Sequence, residues 1–597
     1  MDGRTAMKTC VRPVLAGLGL ATATLFATAS VAQAQEVRGS MAAHYDRGAA
    51  QNSEVPAVLT DRQRELYTDL FAAIDREDWE RVAAIIATSE PGVLHQIALA
   101  EYYTHANSPR VSAGQIEQWF EAGVDLPQSE QLGRLGESRG IEALPYFPQE
   151  QGFSRQPAAS KRIRPRTVRD GTLSDRTRED ILARIREDDP AGAYAILQEV
   201  DPELSPEARA EWRQRVAWSF YIENDDANAL ALAETVSQGS GAWVAEGEWV
   251  AGLAAWRLGH CSLAGEAFAR AASLSTNVEL TSAAHYWAHR SLIRCRDPQA
   301  AQDHLAAAAR HDETLYGMLA IDALGINLPA NAAPQPFTSA DWNAIADRSN
   351  VRVAAALTEI GRPALADEVL RHEAQIGDPR DYASLARFAR ELGLPSTQLF
   401  MAHNAPYGMR SDPALRFPVA RWQPTTGWSV DPALAFAHAL QESNFRTAAV
   451  SPANARGLMQ ITPITVREHA PRLNMSASYV NLDDPEVNLA FGQRNLEMLR
   501  DSAATQGLLP KIIAAYNAGL TPVTRWNSEI NDQGDPLLWM ESIPYWETRG
   551  YVSIVLRNYW MYERAAGVAS PSRRALAQGR WPQFPYMSRD RTALLEQ

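Results

Sequence analysis

The chain has 597 residues, of which 46% are hydrophobic and 21% are charged, and its formal net charge is -14. This composition excludes a wholly disordered or collagen-like protein, and the length predicts several domains rather than one core. The negative charge argues against nucleic acid as a partner, because binding to phosphates depends on a surplus of Lys and Arg.

Residues 1–34 have the pattern of a secretory signal peptide. Positive charges at Arg4, Lys8 and Arg12 precede an uncharged stretch, and Ala32-Gln33-Ala34 supplies the small residues of a cleavage site. An uncleaved membrane anchor is the alternative, although Thr and Gly dilute the apolar stretch. We therefore expect the segment to be removed and the mature protein to lie in the periplasm.

Nearly every long segment of the mature chain has the periodicity of a helix. From 246 to 310 two helix pairs repeat at a spacing of 34 residues, which is typical of tetratricopeptide-type solenoids. We predict an α-superhelical domain over residues 35–335, and this helical-repeat region is a candidate for binding periplasmic protein partners.

Two cysteines, Cys261 and Cys295, remain outside the signal peptide, which contains Cys10. An exported protein favours a disulfide between them. Equivalent positions in stacked helix pairs, however, lie about 10 Å apart, and a disulfide needs Cα atoms within about 7 Å. The sequence leaves both outcomes open.

Three changes in composition divide the chain. Residues 148–175 are basic and rich in Pro and Ser, which favours a solvated linker; a strip that contacts an anionic polymer is the alternative. Breaks at 326–342 and 404–430 separate a predicted helical linker domain, residues 336–412, from a compact domain over residues 413–597.

The C-terminal domain contains one carboxyl group in an unusual position. Asp431 and Pro432 begin a predicted apolar helix, and Glu442 lies near its C-terminal end. The helix dipole and the low polarity there disfavour a carboxylate, so we expect a raised pKa. An acid that stays protonated near neutral pH can cleave a glycosidic bond. An exposed Glu in a capping turn is the alternative.

Three further segments carry groups suited to binding sugars. The loop 451–463 contains Gly457 and Gln460, an apolar helix ends in Tyr516-Asn517, and residues 541–552 supply carboxylates and aromatic rings. Planar rings and amides stack on sugars and hydrogen-bond to them, although a single Trp in this region could equally pack in the core.

Together these motifs resemble the catalytic domain of soluble lytic murein transglycosylases. ES-x-F, the S-P…A-x-G-L-M-Q loop, A-Y-N-A-G and E-S-I-P…E-T-R-x-Y-V follow in the family's order from 442 to 552. The resemblance implies a mainly α chain with a goose-lysozyme-like catalytic domain. That domain would be carried by a ring made of the superhelix and the linker domain.

The resemblance also assigns roles to residues. Glu442 matches the single catalytic acid/base. The residues that match positions in the glycan cleft are Ser451, Gln460, Tyr516 and Glu541. The residues that match positions shaping the cleft are Asn517 and Tyr551.

Two positions depart from the family's pattern. Asn454 stands where Gly is usual, but Asn tolerates a left-handed backbone, so the loop should survive. Thr462 stands where many members have Met.

The implied reaction cleaves the bond between N-acetylmuramic acid and N-acetylglucosamine in peptidoglycan glycan strands without water. Glu442 would protonate the linking oxygen and then accept the proton of the sugar's C6 hydroxyl, which attacks C1. The product would carry a 1,6-anhydro end. We expect no metal or organic cofactor, and a monomer.

Two other functions remain as alternatives. A lysozyme-type hydrolase would need a second carboxylate, for which Asp483, Asp484, Glu486 and Glu541 are candidates. A non-catalytic cell-wall-binding scaffold would be consistent with the helical repeats.

Overall fold

The computed structural model describes residues 54–326 and 335–585, and these are mainly helical, as predicted. The predicted signal peptide and Cys10 lie outside the described residues. Within the described part of the chain, no helix combines the length and apolarity that crossing a bilayer requires.

The N-terminal helices are α1 (Asp61–Asp75), α2 (Trp79–Thr88), α3 (His95–Thr104), α4 (Ala113–Glu121) and α5 (Ser129–Ser138). A short strand follows, β1 (Phe153–Arg155). The next helices are α6 (Asp175–Arg186), α7 (Pro190–Val200), α8 (Pro206–Ile222), α9 (Asp226–Glu234), α10 (Trp243–Arg257), α11 (Cys261–Leu274), α12 (Val278–Arg294), α13 (Pro298–Ala309) and α14 (Leu315–Ala323).

The second half of the chain begins with α15 (Ser339–Ile345), α16 (Ser349–Glu359), α17 (Pro363–Ile376), α18 (Tyr382–Glu391), α19 (Pro395–His403) and the strand β2 (Asn404–Pro406). The last helices are α20 (Pro432–Ser443), α21 (Pro463–His469), α22 (Pro485–Asp501), α23 (Leu509–Ala518), α24 (Leu520–Glu529), α25 (Pro536–Glu541), α26 (Trp546–Ala565) and α27 (Pro571–Ala577). Short 3-10 helices are Asp201–Glu203, Thr235–Gln238, Pro379–Asp381, Pro413–Arg416, Ala470–Leu473 and Ala477–Tyr479.

Two large hydrophobic cores hold these helices together, and each joins segments distant in sequence. In one, α1–α5 pack with α15–α19, so that Tyr67 and Trp119 share a core with Phe388. In the other, α6–α14 pack with the helices that follow 417, so that Trp287 shares a core with Trp560. The helices α6–α14, which form the second part of the predicted superhelix, are therefore packed directly against the C-terminal helices. The domain boundaries themselves stay predictions.

The segment 148–175 is less solvated than predicted. Its strand β1 pairs antiparallel with β2, with Phe153 opposite Pro406. Further along, the Arg162 guanidinium lies 2.7 Å from a carboxylate oxygen of Glu246 on α10, and only 15% of the Arg162 side chain is exposed. The segment enters the interior at this point because buried carboxylates are available to pair with it.

Cys261 and Cys295 form a disulfide with a Cα–Cα distance of 5.6 Å. The expected separation of about 10 Å was wrong, because it treated the two residues as equivalent positions of stacked helices. Cys261 instead begins α11, and Cys295 caps the C-terminal end of α12. Consecutive antiparallel helices bring the start of one close to the end of the next.

Candidate functional site

The helix α20 positions Glu442 one residue before its C-terminal end. Asp431 caps the helix by accepting a hydrogen bond from the Ala433 amide at 2.9 Å, and it also accepts one from the Tyr559 hydroxyl at 2.9 Å. The chain then turns at Asn444, whose φ of 52° is left-handed. A buried helix with a fixed start and an abrupt end therefore holds Glu442 in place.

The Glu442 carboxyl group is largely buried and accepts a hydrogen bond from the Tyr551 hydroxyl at 2.5 Å. The pKa of Glu442 is raised to about 7, the net result of burial, which raises it most, of the hydrogen bond from Tyr551, which lowers it, and of the charge of Glu547, which raises it. The predicted rise in pKa is confirmed, with burial as its main cause. The group therefore exchanges its proton near neutral pH.

Two aromatic side chains, those of Tyr516 and of His438 on α20, pack against each other beside Glu442. The Tyr516 ring lies 4.7 Å from the His438 ring, and its hydroxyl donates to the Met459 carbonyl at 2.8 Å. Burial and the charge of Glu442 raise the pKa of Tyr516 well above its ordinary value, so the phenol stays neutral. His438 is fully buried, and burial lowers its pKa to about 4, so it is neutral as well.

The loop from 449 to 461 is folded by its own backbone and by two polar side chains. The Ser451 hydroxyl accepts a hydrogen bond from the Ala455 amide at 3.0 Å. The Gln460 side chain donates to the carbonyls of Ala449 at 3.2 Å and Gly457 at 3.0 Å. Ser451 and Gln460 therefore lie in one compact turn, as the motif predicted.

Three positions in this loop have left-handed backbone, one of which is Gln460 with a φ of 49°. Asn454 has a φ of 58°, so the expectation that Asn can replace Gly there is confirmed. Gly457 has a φ of 75°, and a Cβ atom on it would collide with the side-chain nitrogen of Asn488 and the carbonyl of Leu482. Only glycine fits this position.

The remaining predicted cleft-shaping residue, Asn517, is fixed by α26. Its side-chain oxygen accepts a hydrogen bond from the Thr548 hydroxyl at 2.6 Å. Thr462, the second departure from the family's pattern, caps α21 by accepting from the Thr465 amide at 3.2 Å. The substitution therefore supplies a helix cap.

Glu541 lies at the contact between the superhelix and the C-terminal helices. Its carboxylate accepts from the Tyr316 hydroxyl at 2.7 Å and from Arg162 at 3.4 Å, and only 4% of the residue is exposed. These hydrogen bonds of the carboxylate all go to residues outside the C-terminal domain. Its predicted place in the glycan cleft stays a prediction.

Of the candidates for a second carboxylate in the segment 483–486, Asp484 is committed to local structure, whereas Asp483 and Glu486 are exposed. Asp484 caps α22 by accepting from the amides of Glu486 at 2.9 Å and Val487 at 3.2 Å. The carboxylate that acts on the pKa of Glu442 is instead Glu547, an exposed residue in the first turn of α26.

Sequence reasoning missed two residues that build the site. His438 lies four residues before Glu442 on α20, a spacing that places both on one face of the helix. Asn488 is fully buried and joins the loop to α22; it accepts from the Met459 amide at 2.9 Å and donates to the Arg456 carbonyl at 3.0 Å. The helical spacing could have indicated His438, but no local signal points to Asn488.

The described residues contain no cluster of three or more His, Cys, Asp or Glu side chains arranged to hold a metal ion. The site thus offers one acid of raised pKa, two neutral phenols and a polar loop.

Comparison with known proteins identifies the C-terminal region. Residues 422–537 match the family model described as the transglycosylase SLT domain. The chain is 36% identical over 135 residues to the soluble lytic murein transglycosylase of Escherichia coli K12, which is 22% of this chain and 20% of that protein. It is 34% identical over 146 residues to the Salmonella typhimurium protein of the same name, or 24% of this chain and 22% of that one. The matched region spans about a fifth of the length of these curated relatives.

Solved structures extend the similarity of fold to most of the chain. The 70 kDa soluble lytic transglycosylase of Escherichia coli aligns with a TM-score of 0.51 at 17% identity, over 88% of this chain and 100% of that one. An inactive mutant of the lytic transglycosylase Slt from Pseudomonas aeruginosa aligns with a TM-score of 0.50 at 18% identity, over 85% and 87% of the two chains. The chain therefore resembles soluble lytic murein transglycosylases in fold and carries an SLT domain.

Proposed function

We propose that the protein is a peptidoglycan lytic transglycosylase and that Glu442 is its only acid/base. The observation that carries the proposal is the Glu442 carboxyl group, with a pKa raised to about 7 and a 2.5 Å hydrogen bond from Tyr551. It lies within the residues that match the SLT domain. The curated relatives of that region carry the name soluble lytic murein transglycosylase.

The reaction begins with proton transfer from Glu442 to the oxygen between N-acetylmuramic acid and N-acetylglucosamine. A pKa near 7 leaves the group both a competent acid and, once ionised, a competent base. The Tyr551 hydroxyl stabilises the carboxylate formed in this step, because a hydrogen bond favours the charged form.

Ring closure completes the reaction. The C1 bond to the protonated linking oxygen breaks, so that N-acetylglucosamine leaves with a hydroxyl group. The ionised Glu442 accepts the proton of the C6 hydroxyl, whose oxygen attacks C1 and forms the 1,6-anhydro bond. An attacking group on the same sugar has a high effective molarity and so competes well with water. Ser451, Gln460 and Tyr516 are the proposed contacts that hold the sugar in this geometry, with Asn517 fixing the end of α23; Glu541 belongs to the same proposed set.

Two of the four candidates for the second carboxylate of a hydrolase are engaged by other groups, which supports this reaction over hydrolysis. Hydrolysis needs a second carboxylate that activates water. The hydrogen bonds of Asp484 and Glu541 commit both carboxylates to other partners. Glu547 is exposed at the start of α26 and acts on Glu442 through its charge.

The proposed function is accompanied by a proposed domain organisation and cellular location of the protein. We place the protein in the periplasm as a monomer whose superhelical residues 35–335 and linker residues 336–412 carry the catalytic residues 413–597. The mature protein would meet its glycan substrate there after loss of residues 1–34.

The variant Glu442→Gln tests the assignment of the acid. It keeps the shape and the hydrogen-bond acceptor of the side chain but cannot donate a proton as an acid. We expect no soluble fragments to be released from purified peptidoglycan, while co-sedimentation with that peptidoglycan stays unchanged. Glu468→Gln, at an exposed position of α21, serves as the matched control and should retain full turnover. Turnover by Glu442→Gln at the rate of the parent would remove Glu442 from the role.

A further inference from the structure

The imidazole of His438 is a buried ionisable group beside the site, and the proposed reaction gives it no role. From Pro432 to Leu440 it is the only polar residue of α20, and 0% of it is exposed. Burial lowers its pKa to about 4, so the ring is neutral at the pH at which Glu442 exchanges its proton. The helix that carries the acid therefore places a neutral ring, and no second charge, one turn before it.

A hydrogen bond to its own helix fixes the orientation of the imidazole. Nδ1 of His438 lies 2.8 Å from the carbonyl oxygen of Leu434. A carbonyl oxygen only accepts, so the neutral ring carries its proton on Nδ1 and donates from there. Nε2 is buried and has no hydrogen-bond partner among the described residues. The ring therefore acts on the rest of the site through its surface rather than through a second hydrogen bond.

Two phenol rings pack against this surface. The ring centre of His438 lies 4.7 Å from that of Tyr516 on α23 and 6.2 Å from that of Tyr551 on α26. Aromatic rings at these separations attract each other. At its other end, Tyr516 is held by the hydrogen bond from its hydroxyl to the Met459 carbonyl. The contact with His438 thus ties Tyr516 to the helix that carries Glu442.

The acidity of Glu442 depends on the side chains packed around its carboxyl group. The titratable groups that face it are Tyr551 and Glu547 on α26, Tyr516 on α23 and, one turn earlier on α20, His438. Burial is the largest cause of its raised pKa. Water in contact with a carboxylate stabilises the charged form and lowers the pKa. Removing the ring on which Tyr516 packs would leave a space next to polar groups that water can enter.

We propose that His438 is a positioning residue of the reaction, whose ring holds the Tyr516 phenol beside Glu442 and keeps water from that side of the carboxyl group. His438 acts through Tyr516 and does not touch the sugar. The inference rests on the proposed function for the part that Glu442 plays, but the burial of this carboxyl group can be measured without substrate.

Thermal unfolding at pH 8 tests the inference in the absence of catalysis. The stabilisation that Glu442→Gln gives there reports the burial of the carboxyl group, because the amide avoids the cost of ionising it. We expect this stabilisation to fall to less than about half when Glu442→Gln is made in His438→Ala, since a hydrated carboxylate costs less to ionise.

The matched control is Phe436→Leu, a substitution of another buried ring of α20. The Phe436 ring does not pack on the two phenols of the site; its ring contacts are Trp428, Phe445 and Tyr562. Phe436→Leu should lower the Tm but leave the stabilisation by Glu442→Gln at its full size.

Initial rates against pH test the same role during turnover. In His438→Ala the decline of activity with rising pH should move down by about one pH unit, which lowers the protonated fraction of Glu442 at pH 8 about nine-fold. His438→Phe keeps a ring against Tyr516 without the nitrogens and should follow the pH dependence of the parent. If His438→Ala does not fold, His438→Val removes the ring while keeping part of its volume, and the same comparisons apply.

Three results would overturn the inference. The first is an undiminished stabilisation by Glu442→Gln when the ring of His438 is removed. The second is an equal loss of that stabilisation in Phe436→Leu, which would mean that any loosening of α20 has the same effect. The third is a pH dependence of His438→Phe like that of His438→Ala, which would assign the effect to the nitrogens. Absence of glycan cleavage by the parent would refute the proposed function instead, while the unfolding comparison would still decide the role of His438.

Discussion

Replacing Glu442 by Gln is expected to stabilise the protein at neutral and alkaline pH. Burial raises the pKa of Glu442 from an ordinary value of 4.5 to about 7. A raised pKa means that ionising the group costs more in the folded than in the unfolded protein. At 1.36 kcal/mol per pKa unit, this difference amounts to about 3 kcal/mol. The uncharged amide avoids this cost.

The direction of the stability difference between parent and variant, and the pH range in which it develops, follow from the same two pKa values of Glu442. Below about pH 4.5 the carboxyl group is protonated in both states, so parent and variant should be equally stable. Between about pH 4.5 and 7 the unfolded parent ionises and the folded one does not, so the parent loses stability relative to the variant. Above about pH 7 the difference is constant.

Thermal unfolding of the two proteins between pH 4 and 9 measures the effect. With an unfolding entropy of about 2.1 cal/mol/K per residue, about 3 kcal/mol raises the Tm by about 3 °C if the described chain unfolds in one step. The shift is larger if the C-terminal helices unfold separately. The control Glu468→Gln should not change the Tm with this pH dependence. A variant no more stable than the parent at pH 8 would contradict the buried, acid-favouring environment of Glu442.

Three further predictions concern the site and its support. Activity should fall as the pH rises through about 7, because the reaction starts from protonated Glu442. In the variant Tyr551→Phe the hydrogen bond that lowers the pKa of Glu442 is lost, so this decline should move to a pH about one unit higher. Initial rates measured against pH test both expectations. Gly457→Ala should destabilise the C-terminal helices by about 2 to 4 kcal/mol and reduce turnover, because its Cβ collides with Asn488; an unchanged Tm would contradict this. Replacing Cys261 and Cys295 by Ser should lower the free energy of unfolding by about 4 kcal/mol, because the disulfide closes a loop of 34 residues. Turnover at 25 °C should be retained. Equal Tm values of the parent with and without reductant would contradict this stabilisation by the disulfide.

The local signals of the sequence sufficed to predict the position and environment of Glu442. A capping Asp, a Pro in the first turn and an unbroken apolar run predict α20, and the left-handed Asn444 ends it directly after Ser443. Burial of the carboxyl group follows from the apolar residues around it. Two of the three left-handed positions in the loop, Asn454 and Gly457, could be anticipated in the same way, whereas Gln460 could not.

Long-range packing produced what the sequence could not predict. The partners of Glu541 lie 225 and 379 residues away, at Tyr316 and Arg162, and no local pattern links these positions. The disulfide depended on where α11 begins and α12 ends, since a shift of a few residues decides whether Cys261 and Cys295 meet. Helix ends are the least reliable part of a prediction from sequence.

Mass spectrometry of the fragments that the mature protein releases from purified peptidoglycan is the most direct test of the proposed activity. Ring closure by the C6 hydroxyl predicts muramic ends that are lighter by one water, with no new reducing ends. Reducing muramic ends would show that water attacks C1, and would contradict the assignment of Glu442 as the sole acid/base of a transglycosylase.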